Sequence, residues 1–147
     1  FIIFILIFRN LILSILAMIP NIIPIALNIV IMAISGIPLN VATVMIASIS
    51  IGISVDDTIH FIVRYWQEYP ISRDVKGAIK STLQHVGRPV IFTTLINMIG
   101  FSVLMLSDFM PIKYFGLLMV FTLLSALIAD LVLLPVILII GEKWMSG

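Results

Sequence analysis

Two adjacent carboxylates, Asp56 and Asp57, stand inside an apolar run that extends from Val41 to about Tyr65. Each acidic residue near the centre of a membrane-spanning helix costs about 2.5–3.5 kcal/mol on insertion scales, so a structural role seldom demands two of them. Neighbouring carboxylates share protons as a coupled pair. A site that loads and releases protons near neutral pH is what a proton-coupled machine requires, and we therefore predict that this pair is a proton relay.

The residues around the pair divide between two faces of the helix, because residues three or four positions apart share a face. One face carries Thr43, Ala47, Ser50, Ser54, Asp57 and Phe61, and the adjoining face carries Ser48, Gly52, Asp56 and His60. Adjacent residues differ by about 100°, so we expect one carboxylate to face a water-accessible crevice and the other a partner helix. His60 could pass protons toward the cytoplasm. The alternative is a structural cluster that pairs a carboxylate with His60 or a neighbouring helix.

Further polar residues lie on the later apolar runs. Thr93, Thr94 and Asn97 could hydrogen-bond across to the aspartates or hold helices together, as hydroxyl and amide side chains do in membranes. Asp130 is a lone carboxylate that could serve the relay or helix packing. Small residues permit close approach of membrane helices, and we predict this role for Gly52, Gly100 and Gly116.

The composition excludes a soluble globular domain. Hydrophobic residues make up 62% of the 147 residues, charged residues only 10%, and the mean hydropathy is +1.29, whereas soluble domains are about half apolar and one quarter charged. We therefore predict an all-α bundle of membrane-spanning helices. The formal charge of +1 argues against a nucleic-acid partner. The sequence shows no cysteine, nucleotide-binding loop or metal-ligand cluster, so we expect no enzyme and no cofactor, with protons as the coupling ion.

The apolar runs predict the end of one helix followed by four full spans. They lie at about residues 1–8, 11–34, 41–65, 90–106 and 114–140. Eight helical residues cover only about 12 Å of a hydrocarbon core about 30 Å thick, so we expect residues 1–8 to be the tail of a helix that begins outside this chain. Pro20 and Pro24 should kink the first full span, and Asn40 is placed to cap the second.

The one hydrophilic stretch, Arg64–Pro89, contains a predicted amphipathic helix at about residues 72–87. Ser72 can cap its start and Gly87 can close its end. We expect this helix to lie along the membrane surface as an interfacial helix. An ordinary loop helix of the kind found in soluble proteins has the same pattern and is the alternative.

The basic residues orient the bundle, because cytoplasmic loops carry an excess of Lys and Arg. If the helices alternate in direction, seven of the eight basic residues fall on one side: Arg9, Arg64, Arg73, Lys76, Lys80, Arg88 and Lys143. Only Lys113 falls on the other side. We therefore predict that the Arg64–Pro89 segment and the C-terminus are cytoplasmic, and that the turns at 35–40 and 107–110 face the outside.

The segment Gly52–Phe61 resembles the fourth-helix motif of resistance-nodulation-division (RND) transporters. It is most similar to the branch of hydrophobe exporters of the MMPL type, which is related to Patched and to sterol-sensing domains. The turn Ile37–Thr43 is similar to that family's turn between its third and fourth helices. Similarity to its fifth and sixth helices lies in Gly87-Arg88-Pro89, Thr93-Thr94, Gly100-Phe101, Ala129-Asp130-Leu131 and Leu134-Pro135.

The resemblance covers essentially the whole chain and implies a proton-driven exporter of lipids or other hydrophobic molecules in a bacterial inner membrane. It assigns the proton relay to Asp56 and Asp57. Family members contain two repeats of six spanning helices, each with a large extracytoplasmic domain after its first helix. This chain would supply the end of the second helix through the sixth of one repeat. The second repeat is favoured by two features: Thr-Ile-His follows the acidic pair, and the chain ends soon after the last helix.

The partners that the resemblance implies are membrane lipid, the other repeat, the extracytoplasmic porter domains and the hydrophobic substrate, and a homo-oligomer is compatible with it. A sterol- or lipid-sensing regulatory module is one alternative, although such modules generally lack an acidic pair in the fourth helix. A protein-translocation accessory of the same superfamily is another. An intramembrane aspartyl protease needs two carboxylates that converge on one water, usually from different helices, and only Asp130 offers a second helix.

Overall fold

The computed structural model describes residues 4, 5 and 11–145, and every element in these ranges is helical. The helices are α1 (Leu11–Ser35), α2 (Val41–Ser72), α3 (Val75–Thr82), α4 (Arg88–Val103), α5 (Met110–Ile128) and α6 (Leu134–Met145). Four continuous stretches are long and apolar enough to cross a membrane: Ala17–Ser35, Val41–Ser72, Val75–Leu106 and Met110–Ile140. The predicted all-α bundle is confirmed. Of the predicted segment at 1–8, all but residues 4 and 5 lie outside the described residues.

The turn between α1 and α2 forms as the sequence predicts. Gly36 adopts a φ of 64°, a backbone conformation that glycine tolerates without steric cost. Asn40 then caps α2: its side-chain oxygen accepts from the Thr43 N–H at 2.9 Å, and its own N–H donates to the Thr43 hydroxyl at 2.8 Å. This reciprocal cap fixes the start of the helix that carries the acidic pair.

Helix α2 continues to Ser72, past the predicted end near residue 65. Ser72 does not cap α3 as predicted, because its hydroxyl donates to the Glu68 carbonyl within α2 at 3.1 Å. The cap is Asp74, whose carboxylate accepts from the Gly77 N–H at 3.1 Å. The chain therefore reverses direction over two residues between the long α2 and the short α3.

The apolar face of α3 packs against protein rather than lipid. Its buried residues and their neighbours on α2 and α6 form one core cluster that includes Val75, Ala78, Ile79, Phe61, Ile62, Tyr65, Leu134 and Leu138. The amphipathic pattern is present, and the lysines of the same helix stay exposed. The apolar face of α3, which we expected to contact the membrane, is covered by α2 and α6. In this respect α3 resembles the alternative that we considered, an ordinary loop helix.

Two π-helical turns, Leu83–Gly87 and Ala129–Leu133, join α3 to α4 and α5 to α6. Each ends two residues before a proline, Pro89 or Pro135. A proline ring clashes with the carbonyl four residues earlier and lacks the N–H that would bond to it. A π-turn accommodates both effects because its hydrogen bonds span five residues. The helix therefore passes through Gly87 without a break, and the prediction that Gly87 ends a separate helix is wrong.

Helix α5 is central, in contact with α1, α2 and α4, and large apolar side chains cover the outside of the bundle. Its Gly116 allows a close approach, since a Cβ added there would lie 2.7 Å from the Phe101 carbonyl oxygen and 2.9 Å from Leu104 Cβ. A Cβ added at Gly52 or Gly100 would meet open space. The prediction of close helix approach at Gly52 and Gly100 is therefore wrong within the described bundle.

Candidate functional site

An open cleft of about 860 Å³ lies between α2 and the beginning of α4. Its polar lining comes from both walls: Asp56, Asp57 and His60 on α2, His85 on the first π-turn, and Thr93 and Asn97 on α4. The remaining lining is apolar, from residues such as Ile53, Val86 and Ile96. The cleft thus gathers two carboxylates and two imidazoles into one space.

Asp56 and Asp57 both line this cleft, although their positions around the helix led us to expect different surroundings. They differ in burial instead: Asp56 is exposed and Asp57 is half-buried. Asp56 Oδ1 lies 3.7 Å from His60 Nε2, and these two side chains are 72% and 68% exposed. The cleft is open enough to receive side chains from two adjacent positions, so both carboxylates face the space between the helices.

A second polar cluster is buried where α1, α2 and the second π-turn meet. Asn21, Thr58 and Asp130 form it, and none is more than 2% exposed. The Thr58 hydroxyl lies 2.7 Å from Asp130 Oδ1 and 3.2 Å from Asn21 Nδ2. Asn21 also donates to the Ala17 carbonyl within α1 at 3.1 Å. The cluster therefore ties three segments of the bundle together through one hydroxyl group.

Hydrogen bonding in this cluster is incomplete. The Thr58 hydroxyl has one hydrogen and three acceptors in reach: Asp130 Oδ1 at 2.7 Å, the Ser54 carbonyl at 2.9 Å and Asn21 Oδ1 at 3.5 Å. Asp130 Oδ2 and the Ser54 hydroxyl are buried without a hydrogen-bond partner, an arrangement that costs free energy. A proton can bind at Asp130 Oδ2 without displacing an existing hydrogen bond.

The cleft and the buried cluster are neighbours through α2. Asp57 and Thr58 are consecutive, so one lines the cleft while the other belongs to the buried cluster. Asp130 lies in the π-turn that precedes Pro135, and this turn sets the direction of the Asp130 side chain. An open carboxylate pair and a buried carboxylate therefore lie on two sides of a single helix.

The other predicted site residues serve several roles. The Ser50 hydroxyl reaches α5, 3.7 Å from Met119 Sδ. The Thr93 hydroxyl donates to carbonyls of its own helix, Thr94 is buried with its hydroxyl unpaired, and Asn97 lines the cleft. Among the described residues, no hydrogen bond joins any of these three α4 side chains to an aspartate, so α4 faces the acidic pair across an open space.

Sequence reasoning missed three residues of the site: Asn21, Thr58 and His85. An amide inside an apolar span is itself a signal of function, and Thr58 continues the four-residue step of Ser50 and Ser54, so both could have been found. No spacing connects His85 to His60. The two histidines line one cleft only because the chain reverses between α2 and α3.

In the described part of the chain, no group of three or more His, Cys, Asp or Glu side chains is arranged so that it could hold a metal ion. Asp56 and His60 supply two ligands at most, whereas catalytic zinc sites use three protein ligands.

A helix bundle with four candidate spans and carboxylates inside two of them defines a polytopic membrane protein with an intramembrane polar site. The MMPL family profile matches residues 1–146, so the chain belongs to the MMPL family of the RND superfamily. A membrane protein of Methanocaldococcus jannaschii is 29% identical over 142 residues, which cover 97% of this chain and 37% of that protein. The chain thus spans less than half of this relative's length. No solved structure gives a significant match.

Proposed function

We propose that this chain is the proton-handling part of a transporter that exports lipids or other hydrophobic molecules, driven by the proton-motive force. Membership of the MMPL family supports a transporter-like role. The observation that carries the proposal is the placement of Asp56 and Asp57 in an open cleft directly beside a buried third carboxylate, Asp130. Ionisable residues within membrane spans mark ion pathways and proton relays.

The proposed path begins at the imidazoles of His60 and His85, which can accept and donate protons at the cleft. Asp56 and Asp57 then hold the proton as a coupled pair. Asp130 is the next proton acceptor on this path, because its Oδ2 is buried without a hydrogen-bond partner. The single Thr58 hydrogen can then exchange between Asp130 and the Ser54 carbonyl, which lie at nearly equal distances from it.

This exchange gives the proton a mechanical effect. Asn21, Thr58 and Asp130 stand on three different segments, so a change in their hydrogen bonds changes how α1, α2 and the second π-turn pack. A transporter needs such a two-state element, because a ligand shifts a conformational equilibrium only through different interactions with the two states. The proton would be that ligand.

The remaining parts of the transporter belong to this proposal as partners. The other repeat and the extracytoplasmic domains would carry the substrate path, with lipid around the spans and homo-oligomers compatible with the arrangement. The Arg64–Pro89 segment and the C-terminus would be cytoplasmic, because most basic residues fall on that side. The host membrane would be a bacterial inner membrane.

The test compares D56N/D57N with wild type in the full-length protein, expressed at matched levels in its deletion strain. Asparagine keeps the shape of aspartate and removes proton binding, so we expect the double variant to accumulate the same inner-membrane lipid species as the deletion strain. D108N is the matched control, because Asp108 is exposed in the turn between α4 and α5, and it should export normally.

The same variants are then reconstituted in liposomes with a pH-sensitive dye. We expect proton flux through wild type and D108N and a loss of at least tenfold in D56N/D57N. Normal export by D56N/D57N would contradict proton coupling through this pair and would favour the lipid-sensing alternative. A lost proton flux with an unchanged lipid profile would favour protein translocation as the process that the protons drive.

A further inference from the structure

A second groove, of about 440 Å³, lies between α6 and the segment that comprises α3 and the first π-turn. Three cations line it, Lys76, Lys80 and Arg88, together with apolar side chains that include Leu83 and Ile139. We call it the cationic groove. It shares no lining residue with the carboxylate cleft.

The cations are aligned by the π-turn. Lys76, Lys80, Gln84 and Arg88 follow one another at four-residue steps. In an α-helix each such step is offset by about 40°, so three steps would carry the last cation away from the first. The π-turn at Leu83–Gly87 turns less per residue, because its hydrogen bonds span five residues. It reverses part of the offset and leaves Arg88 beside the groove.

The three cations are available to a ligand. Lys76, Lys80 and Arg88 are exposed, and none of them forms an ion pair with a carboxylate among the described side chains. Three positive charges around one groove favour an anion, and Arg adds a planar fork that matches phosphate oxygens.

The other half of the groove is apolar and continues into the membrane-spanning surface. Ile139 belongs to the last candidate span. Exposed apolar side chains follow it along the helix at steps of three and four residues, at Val136 and Val132. A ligand with a charged head and an apolar tail matches this order of cations, groove and apolar surface.

We propose that the cationic groove binds an anionic phospholipid, with the phosphate on Lys76, Lys80 and Arg88 and an acyl chain along α6. Basic pockets between membrane helices bind lipid headgroups in this manner. Free phosphate would use the cations but would leave the apolar wall without a partner. The proposal concerns a structural lipid site and does not depend on the transport function.

The test uses the purified full-length protein in neutral detergent, titrated with phosphatidylglycerol or phosphatidylcholine and followed by native mass spectrometry. Each cation near a membrane surface contributes about 1 kcal/mol toward anionic lipid, so we expect K76Q/K80Q to weaken phosphatidylglycerol binding by roughly 30-fold. R73Q/K113Q is the matched control, since it removes two exposed cations that do not line the groove. It should keep the wild-type affinity within about threefold.

Four outcomes would overturn the proposal. Equal weakening by K76Q/K80Q and R73Q/K113Q would show attraction to the overall surface charge. Equal affinity of wild type for phosphatidylcholine, or displacement of phosphatidylglycerol by millimolar inorganic phosphate, would show that the groove does not select an anionic lipid. K76R/K80R keeps both positive charges and should bind phosphatidylglycerol as wild type does. Loss of binding in this variant would also contradict the proposal. Melting temperatures of all variants establish that each one is folded.

Discussion

At the scale of single residues, the three intramembrane carboxylates occupy three different environments. Asp56 is exposed in the cleft, Asp57 is half-buried beside it, and Asp130 is 2% exposed behind α2. Thr58 is the residue that joins the last two environments, because it follows Asp57 in the chain and its hydroxyl is the hydrogen-bond partner of Asp130. One small hydroxyl therefore contacts both the buried acid and Asn21 of α1.

Replacement of Thr58 by valine tests this role. T58V keeps the side-chain shape but leaves Asp130 with no hydrogen bond, which costs about 1–3 kcal/mol for a buried polar group. We expect T58V to unfold at lower temperature than wild type and to lose proton flux, and T58S to retain both. T93V removes a hydroxyl that bonds only to its own helix and serves as the control. Equal stability of T58V and T93V would show that the hydroxyl does not hold Asp130.

At the scale of elements, the two prolines that follow the π-turns organise the site. Pro89 and Pro135 each favour a π-turn over the preceding residues. The first turn brings His85 to the cleft, and the second brings Asp130 to the buried cluster. The turns also lie against each other, since a Cβ added at Gly87 would be 3.8 Å from Leu131 Cδ2.

The close packing of α5 against the end of α4 depends on Gly116. G116A places a methyl group 2.7 Å from the Phe101 carbonyl oxygen, an overpacking that costs about 1–3 kcal/mol. G100A meets open space and gains helix propensity of about 1 kcal/mol. We expect G116A to lower and G100A to preserve or raise the melting temperature of the full-length protein. The same destabilisation in both would show that α4 and α5 do not meet at Gly116.

At the scale of the whole molecule, the distribution of charge predicts orientation. Basic residues concentrate at the end of the bundle that holds the reversal between α2 and α3, while the opposite end holds Lys113 and the turn around Asp108. The bundle also exposes apolar side chains over most of its outer surface. This surface suits a lipid environment, and we predict that the two ends face different aqueous compartments.

Single cysteines test this orientation, because the chain contains no cysteine of its own. Gln67 and Asp108 are both exposed and lie at opposite ends of the bundle. In a background without other cysteines, a membrane-impermeant maleimide should label D108C in intact cells and Q67C only after permeabilisation. The reverse pattern would contradict the cytoplasmic location of the Arg64–Pro89 segment.

Several features of this protein depend on local chemistry and can be predicted from the order of residues alone. Apolar length determined the four spans, the Asn40-to-Thr43 spacing determined the cap of α2, and the cost of intramembrane charge singled out Asp56 and Asp57. These features act over one span or less, so neighbouring residues suffice to predict them.

The contacts among the polar residues, by contrast, follow from the three-dimensional fold. Asn21, Thr58 and Asp130 come from distant parts of the chain, and their contact depends on helix packing. The π-turns add a further reason, because each extra residue in a turn rotates everything after it by about 100°. Helical periodicity extended across residues 83–87 or 129–133 therefore predicts the wrong faces, and the burial of α3 against α2 and α6 could not be read from its amphipathic pattern alone.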